Sequence, residues 1–353
     1  MPLRTVQRAT GVSRRHVLQG SGALALTAGA PALAAASETA NVALGRQMRE
    51  LVAGWLSMLS EEQHNAASFA FASGTRRRWN YMLGSSFANG LALEHMSPPQ
   101  KDAAMAVLDS ALSAYGLATA ENIMLQQDIM RDEWGKGSPD RNRERFSLQV
   151  YGTPSPTEPW AWRWEGHHLT LTVTLIGEEI VSTTPKAFSS EPNTVPSGPH
   201  RGLVVLPENE TLGRALFESL PSNKRGTALL RERSYGNILA KPGRETALGA
   251  PVGLPLADLN PSQADILRRL IALYTSAHLA DPLANSQRAA LAVEDEAAIR
   301  FAWAGRNVAD ETMYYRIHGA GFLIEFATLR RQPQHHHTIV HDLERNFGDH
   351  RLG

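Results

Sequence analysis

Cysteine is absent from the 353 residues. That excludes disulfides, iron–sulfur clusters, blue-copper sites and Cys-ligated structural zinc, so any metal must be held by imidazole and carboxylate. Excess charge of either sign is also lacking. The 35 basic residues balance 35 acidic ones, which leaves no electrostatic footprint for a nucleic-acid or acidic-polymer partner. What is present is ordinary for a soluble globular chain: 42% hydrophobic residues, in a length sufficient to bury a sizeable core.

Residues 1–36 read as an export signal rather than as part of the fold. Ser13-Arg14-Arg15-His16-Val17-Leu18-Gln19 resembles the twin-arginine consensus, with Val17 in place of Phe and Gln19 in place of Lys. An Ala- and Gly-rich, mildly apolar run follows from Gly20 to Leu33, shorter than the roughly 20 residues that span a bilayer. Ala32-Leu33-Ala34 and Ala34-Ala35-Ala36 offer the small-x-small pattern of a cleavage site. The expected location is therefore periplasmic or secreted. The twin-arginine machinery is the export partner, and no stable membrane anchor remains after cleavage.

From Asn41 to about Arg131 the apolar period is helical, as in Met48, Leu51, Val52, Trp55 and Leu56. Ser60 with Gln63, Ser97-Pro98-Pro99-Gln100 and Asn260-Pro261-Ser262-Gln263 mark helix starts. Arg76-Arg77-Arg78 is either an anion site or a solvated face. The period then changes to two. Trp160 to Leu175 reads as one long strand, with His167, Leu169, Leu171, Val173 and Leu175 on one face. Trp162, Trp164, His168 and the threonines at 170, 172 and 174 fall on the other, so the two histidines are expected to point to opposite sides. Residues 185–207 and 223–256 lack clear periodicity and read as long irregular segments, and no internal repeat is discernible. Tyr314–Ile317 and Phe322–Phe326 read as a hairpin around Gly319 and Gly321, with His335–Val340 as the next strand. Residues 37–353 are thus expected to form a single α+β domain. Its antiparallel sheet carries the histidines and packs against helices from the first hundred residues and from Leu212–Leu279.

The densest chemistry lies at the C-terminal end. Gln334-His335-His336-His337-Thr338-Ile339-Val340-His341-Asp342 places four histidines and an aspartate within nine residues. On a strand, His335 and His337 project from one face about 7 Å apart, a spacing at which two imidazoles can share an ion. His168 is the first choice for the third ligand, and Glu325 is another option. The predicted cofactor is one divalent or redox metal ion, with Cu, Fe, Zn and Mn all compatible with a His-dominated site. Glu325, a carboxylate in an otherwise apolar strand, and Glu165 are the candidate acid/base groups. Trp162, Trp164 and Arg316 are candidates for contact with a small-molecule ligand, although tryptophan on a strand more often packs a core. His167 and Asp342 are expected behind the ligands, with His167 also fitting a core histidine bonded to backbone. The expected function is a metalloenzyme of oxidoreductase or hydrolase type; the alternative is a non-catalytic ligand- or metal-binding protein.

Several of these stretches together resemble a known family, domain of unknown function 3500. They are Phe69-Ala70-Phe71 with Arg78, Trp79 and Tyr81, then Trp162 to Leu169, Thr184-Pro185 with Phe188, Tyr314 to Ile317 with Glu325, and the terminal histidines. Glu165-Gly166-His167-His168-Leu169 is the most specific motif, and the resemblance covers nearly all of the chain after the signal. In that family the terminal pattern is close to Asn-His-Ile-His followed by Arg-Asp and Phe-Gly. His335, His337 and Asp342 match it, whereas Gln334 replaces Asn, His336 replaces Ile and His341 stands near the Arg. The resemblance implies no activity.

Overall fold

The structure is a computed structural model that describes residues 30–84, 89–133, 140–292, 294–308 and 311–352. The chain divides after Ala36, and the unit Ser37–Gly353 carries every element beyond the first turns of α1. In chain order the elements are α1 (Ala30–Ser57), α2 (Glu61–Ala67), β1 (Ser68–Phe69), β2 (Leu91–Ala92), α3 (Pro98–Ala111), α4 (Ala114–Asp128), β3 (Ser147–Tyr151), β4 (Pro159–Gly166), β5 (Leu169–Ile176), β6 (Glu179–Ser182) and β7 (Lys186–Phe188). Then follow α5 (Asn209–Ser219), α6 (Ser222–Ala228), β8 (Leu229–Arg231), β9 (Leu254–Pro255), α7 (Pro261–Thr275), α8 (Asp281–Ala292), β10 (Arg300–Ala304), β11 (Tyr314–His318), β12 (Phe322–Leu329) and β13 (Gln332–Asp342). The twin-arginine motif lies outside the described residues. Among those described, no helix is long and apolar enough to cross a membrane.

The expected α+β architecture is present. Among the described residues the strands form one 13-stranded sheet in the order β1-β3-β4-β5-β7-β13-β12-β11-β10-β8, with β2 on β3, β6 on β5 and β9 on β10. All pairings are antiparallel except β1 with β3 and β8 with β10. One face is apolar. Trp160, Trp162, Trp164, Leu169, Leu171 and Val173 pack with Val52 and Trp55 of α1, Val107 of α3 and Ile123 of α4. Phe301, Trp303, Tyr315 and Ile324 pack with Leu216 of α5 and Leu267 of α7. The opposite face carries Arg163, Glu165, Thr170, Thr172, Arg316 and Glu325, all buried. It is covered by irregular chain, residues 76–82 and 234–245, whose backbone groups bond to these side chains.

Trp160 to Leu175 is not the single strand expected. It is the β4–β5 hairpin, with His167-His168 as its two-residue turn and Trp164 paired with Leu171. Cross-strand partners share a face, so the tryptophans join the leucines on the helix side instead of the threonines. The turn was hidden because it holds no glycine; His168 itself takes the positive φ, +71°.

The structure also contains an internal repeat that the residue identities conceal. The order α-α-β-β-α-α-β-β-β occurs twice, from α1 and from α5, with matching registers. Ser68 pairs with Val150 as Leu229 does with Trp303, Leu91 with Leu148 as Leu254 with Phe301, and Leu148 with Trp164 as Phe301 with Ile317. Each repeat also places a helix-start glutamine so that it bonds back to the C-terminal end of that repeat's first helix, α1 or α5. Gln100 Nε2 donates to Met58 O at 2.7 Å, and Gln263 Nε2 to Ser219 O at 2.8 Å. The halves join antiparallel through Lys186 of β7 and Val340 of β13, and again through Leu112 and Leu279.

Candidate metal centre

The site is built where the halves meet. β13 lies inside the sheet, held by β12 on one edge and by β7 and Ser190 on the other. Alternation along β13 sends His335 and His337 to the same face. His168 arrives from the first half, at the tip of the β4–β5 hairpin. Its N–H donates to Tyr81 O at 2.9 Å and its carbonyl accepts from Ser189 N at 2.8 Å, so the turn is fixed on both sides. The three Nε2 atoms converge. They stand 2.9 Å apart for His168 and His335, 3.1 Å for His335 and His337, and 3.3 Å for His168 and His337.

The protonation of two rings follows from what holds their other nitrogen. His337 Nδ1 lies 2.8 Å from Asn237 Oδ1, and that amide is oriented by Ile238 N–H, which donates to the same oxygen at 2.8 Å. His335 Nδ1 faces two acceptors, Gln332 Oε1 at 2.8 Å and Glu191 Oε1 at 3.4 Å. In the neutral rings each Nδ1 therefore carries the proton, and each Nε2 presents a lone pair. A proton on His168 Nε2 can bridge to one neighbour, but it leaves lone pair facing lone pair across the 3.1 Å between His335 and His337. A cation resolves that conflict. Metal–nitrogen bonds of about 2.0–2.1 Å meeting at 90–110° require nitrogens roughly 2.9–3.4 Å apart, the separation found here. The Nδ1 partners are of the kind that fix the tautomer and direction of metal-bound imidazoles.

Burial, followed by the neighbouring imidazoles, holds the pKa values of His168 and His337 well below the ordinary histidine value, which keeps the rings in the neutral, ligating form. Burial alone would raise Glu191, but its bonds to His335 and Arg141 outweigh that and hold it below the usual carboxylate range. Arg141 Nη2 sits 2.8 Å from Glu191 Oε2. His167 does not point away from His168, as a single strand would require. The rings stack at 3.7 Å between centroids, and His167 Nδ1 is bonded to Gln127 Oε1, a side chain, at 2.8 Å. Burial lowers the pKa of His167 to about 3. His167, His168 and Glu191 also form a second group whose ligand atoms lie within 4.8 Å of one another.

The remaining expected residues lie elsewhere. Glu325 accepts from Leu239 N at 2.9 Å, Ala240 N at 2.7 Å and Tyr314 Oη at 2.7 Å. Glu165 accepts from Asn80 N at 2.9 Å and Gln149 Nε2 at 3.3 Å, with Arg163 at 3.6 Å. Burial raises the pKa of both carboxyls. Arg316 is buried opposite Glu325 in the β11–β12 register. Trp162 and Trp164 lie in the helix-side core. Asp342, at the end of β13, accepts from Glu344 N and Arg345 N in the turn that follows. Arg76 and Arg77 both bond to Asp349, which ties them to the C-terminal segment. Sequence reasoning missed Glu191, Asn237, Gln332 and Gln127. The first two occupy segments without periodicity, where no local pattern marks them.

A helix-backed antiparallel sheet with three convergent imidazoles defines an α+β protein with a candidate metal centre assembled from both of its halves. The chain belongs to the DUF3500 family, described as a protein of unknown function, whose family model matches residues 42–349. No curated protein and no solved structure matches the chain.

Proposed function

We propose that this chain is an exported metalloprotein that holds one ion of Cu, Fe, Zn or Mn on His168, His335 and His337 and acts on a small molecule as a metalloenzyme. The observation that carries this reading is the convergence of three imidazole Nε2 atoms, with those of His335 and His337 3.1 Å apart while their Nδ1 atoms face Asn237, Gln332 and Glu191. Three neutral imidazoles leave the charge of a divalent ion uncompensated, so a further position favours hydroxide or an anionic ligand. An ion held this way supplies either an activated water or a site for oxygen chemistry. The twin-arginine-like motif at Ser13 to Gln19 supports a periplasmic destination. A non-catalytic metal-binding role is the second reading. It is favoured by Glu165 and Glu325, whose oxygens are engaged by protein donors.

Elemental analysis of protein folded in its native compartment, beside the His335→Ala/His337→Ala variant, tests the proposal. Near-stoichiometric metal in the first and its loss in a folded second is the expected result. Equal metal in both, or none in either, would remove the metal centre from the account. Fractionation of the cells tests the destination, with mature protein expected in the periplasm and uncleaved cytoplasmic protein as the contrary outcome.

A further inference from the structure

An open cavity of about 490 Å³ is walled by Arg233, Gly236, Glu311, Arg330, Arg331 and Pro333. Its only acidic wall residue among those described, Glu311, is already paired with Arg306 at 2.6 and 3.0 Å. Among the described residues, no carboxylate pairs with Arg233, Arg330 or Arg331. Three exposed arginines thus line one concavity, none of them paired with a carboxylate among the described residues. Their fork of N–H donors matches the geometry of an oxyanion.

Two further observations separate this cluster from an ordinary solvated face. Arg331 has φ +62°, in the left-handed region where glycine is the unstrained choice, so the guanidinium is carried at a conformational cost. In addition, both walls continue directly into the residues that orient the imidazoles. Gly236 precedes Asn237, which holds His337, and Arg331 precedes Gln332, which holds His335. The walls are joined by Arg330 N–H donating to Gly236 O at 3.3 Å. Pro333 and His335 are two strand residues apart, about 7 Å, a gap that a small molecule of several atoms can bridge.

We propose that this cavity binds the oxyanion group, carboxylate, sulfate or phosphate, of the small molecule on which the metal centre acts. The inference rests on the metalloenzyme reading, but anion binding itself is measurable without it. Titration calorimetry with inorganic phosphate, and separately with acetate, on the metal-loaded full chain is the test. Saturable binding of either ion is expected, tighter phosphate indicating a phosphoryl- or sulfuryl-type group and tighter acetate a carboxylate. Arg233→Ala/Arg330→Ala is expected to weaken it at least tenfold. Arg331→Gly is expected to weaken it about fivefold while raising the melting temperature, a combination that a purely structural arginine would not give. The His335→Ala/His337→Ala variant should still bind the anion, so failure of the metal centre and failure of the cavity are told apart. No saturable binding of either ion to the wild-type chain, or affinity unchanged in the arginine variants, overturns the proposal.

Discussion

Asn237 is the residue whose part in the site is least visible in the sequence. It sits in a segment without periodicity, and its role arises only because Ile238 N–H turns its oxygen toward His337. Replacing it with alanine should leave the fold intact and weaken metal binding by about 10- to 100-fold, as removal of a ligand's hydrogen-bond partner typically does. A competition titration against a chelator of known affinity checks this, and unchanged affinity would count against the lone-pair argument. Glu325 makes the opposite case. Its position in an apolar strand marked it in the sequence as an uncommon charge, but it accepts two backbone N–H groups and the Tyr314 hydroxyl. Glu325→Gln should therefore cost about 2 kcal/mol in denaturant unfolding, by setting an amide donor against buried donors, while leaving metal content unchanged. Unchanged stability with lost turnover would return Glu325 to the role of acid or base.

At the scale of elements, β13 was legible because period-two alternation sets both the spacing and the shared face of His335 and His337. The β4–β5 hairpin was not, because His168 occupies a turn position normally marked by glycine. That turn separates ligation from folding. His168→Gly should lose the metal yet fold at least as well as wild type in thermal unfolding, since glycine accepts a φ of +71° freely. His168→Ala should lose the metal too, but be about 1 kcal/mol less stable than His168→Gly. Equal stability of the two variants would mean that the turn relaxes to another conformation.

For the whole molecule, composition and period gave the α+β class but concealed the repeat. What the halves share is hydrogen-bond register and helix-start chemistry, as in Gln100 and Gln263, while their side chains diverge: Trp162-Arg163 occupies the register that Tyr315-Arg316 occupies in the second half. Their junction holds a buried lysine. Lys186 pairs with Val340 and donates to Thr275 O at 2.7 Å, near His278, and burial lowers its pKa to about 7. An unfolded lysine titrates near 10.4, so between about pH 7 and 10 the unfolded chain binds the extra proton and stability rises with pH. Below pH 7 the cost of the buried charge is fully present. Lys186→Met should remove this slope, which is at most ~1.4 kcal/mol per pH unit, in unfolding curves compared across that range. An unaltered slope would mean that Lys186 reaches solvent in the folded chain. The central claim, that three imidazoles from two halves of the chain surround one ion, is tested most directly by X-ray absorption at the edge of the metal that co-purifies. The expected spectrum has about three nitrogen scatterers near 2.0–2.1 Å, with the outer-shell pattern of imidazole rings. A first shell of oxygen without imidazole scattering, or one unchanged by His168→Gly, would contradict it.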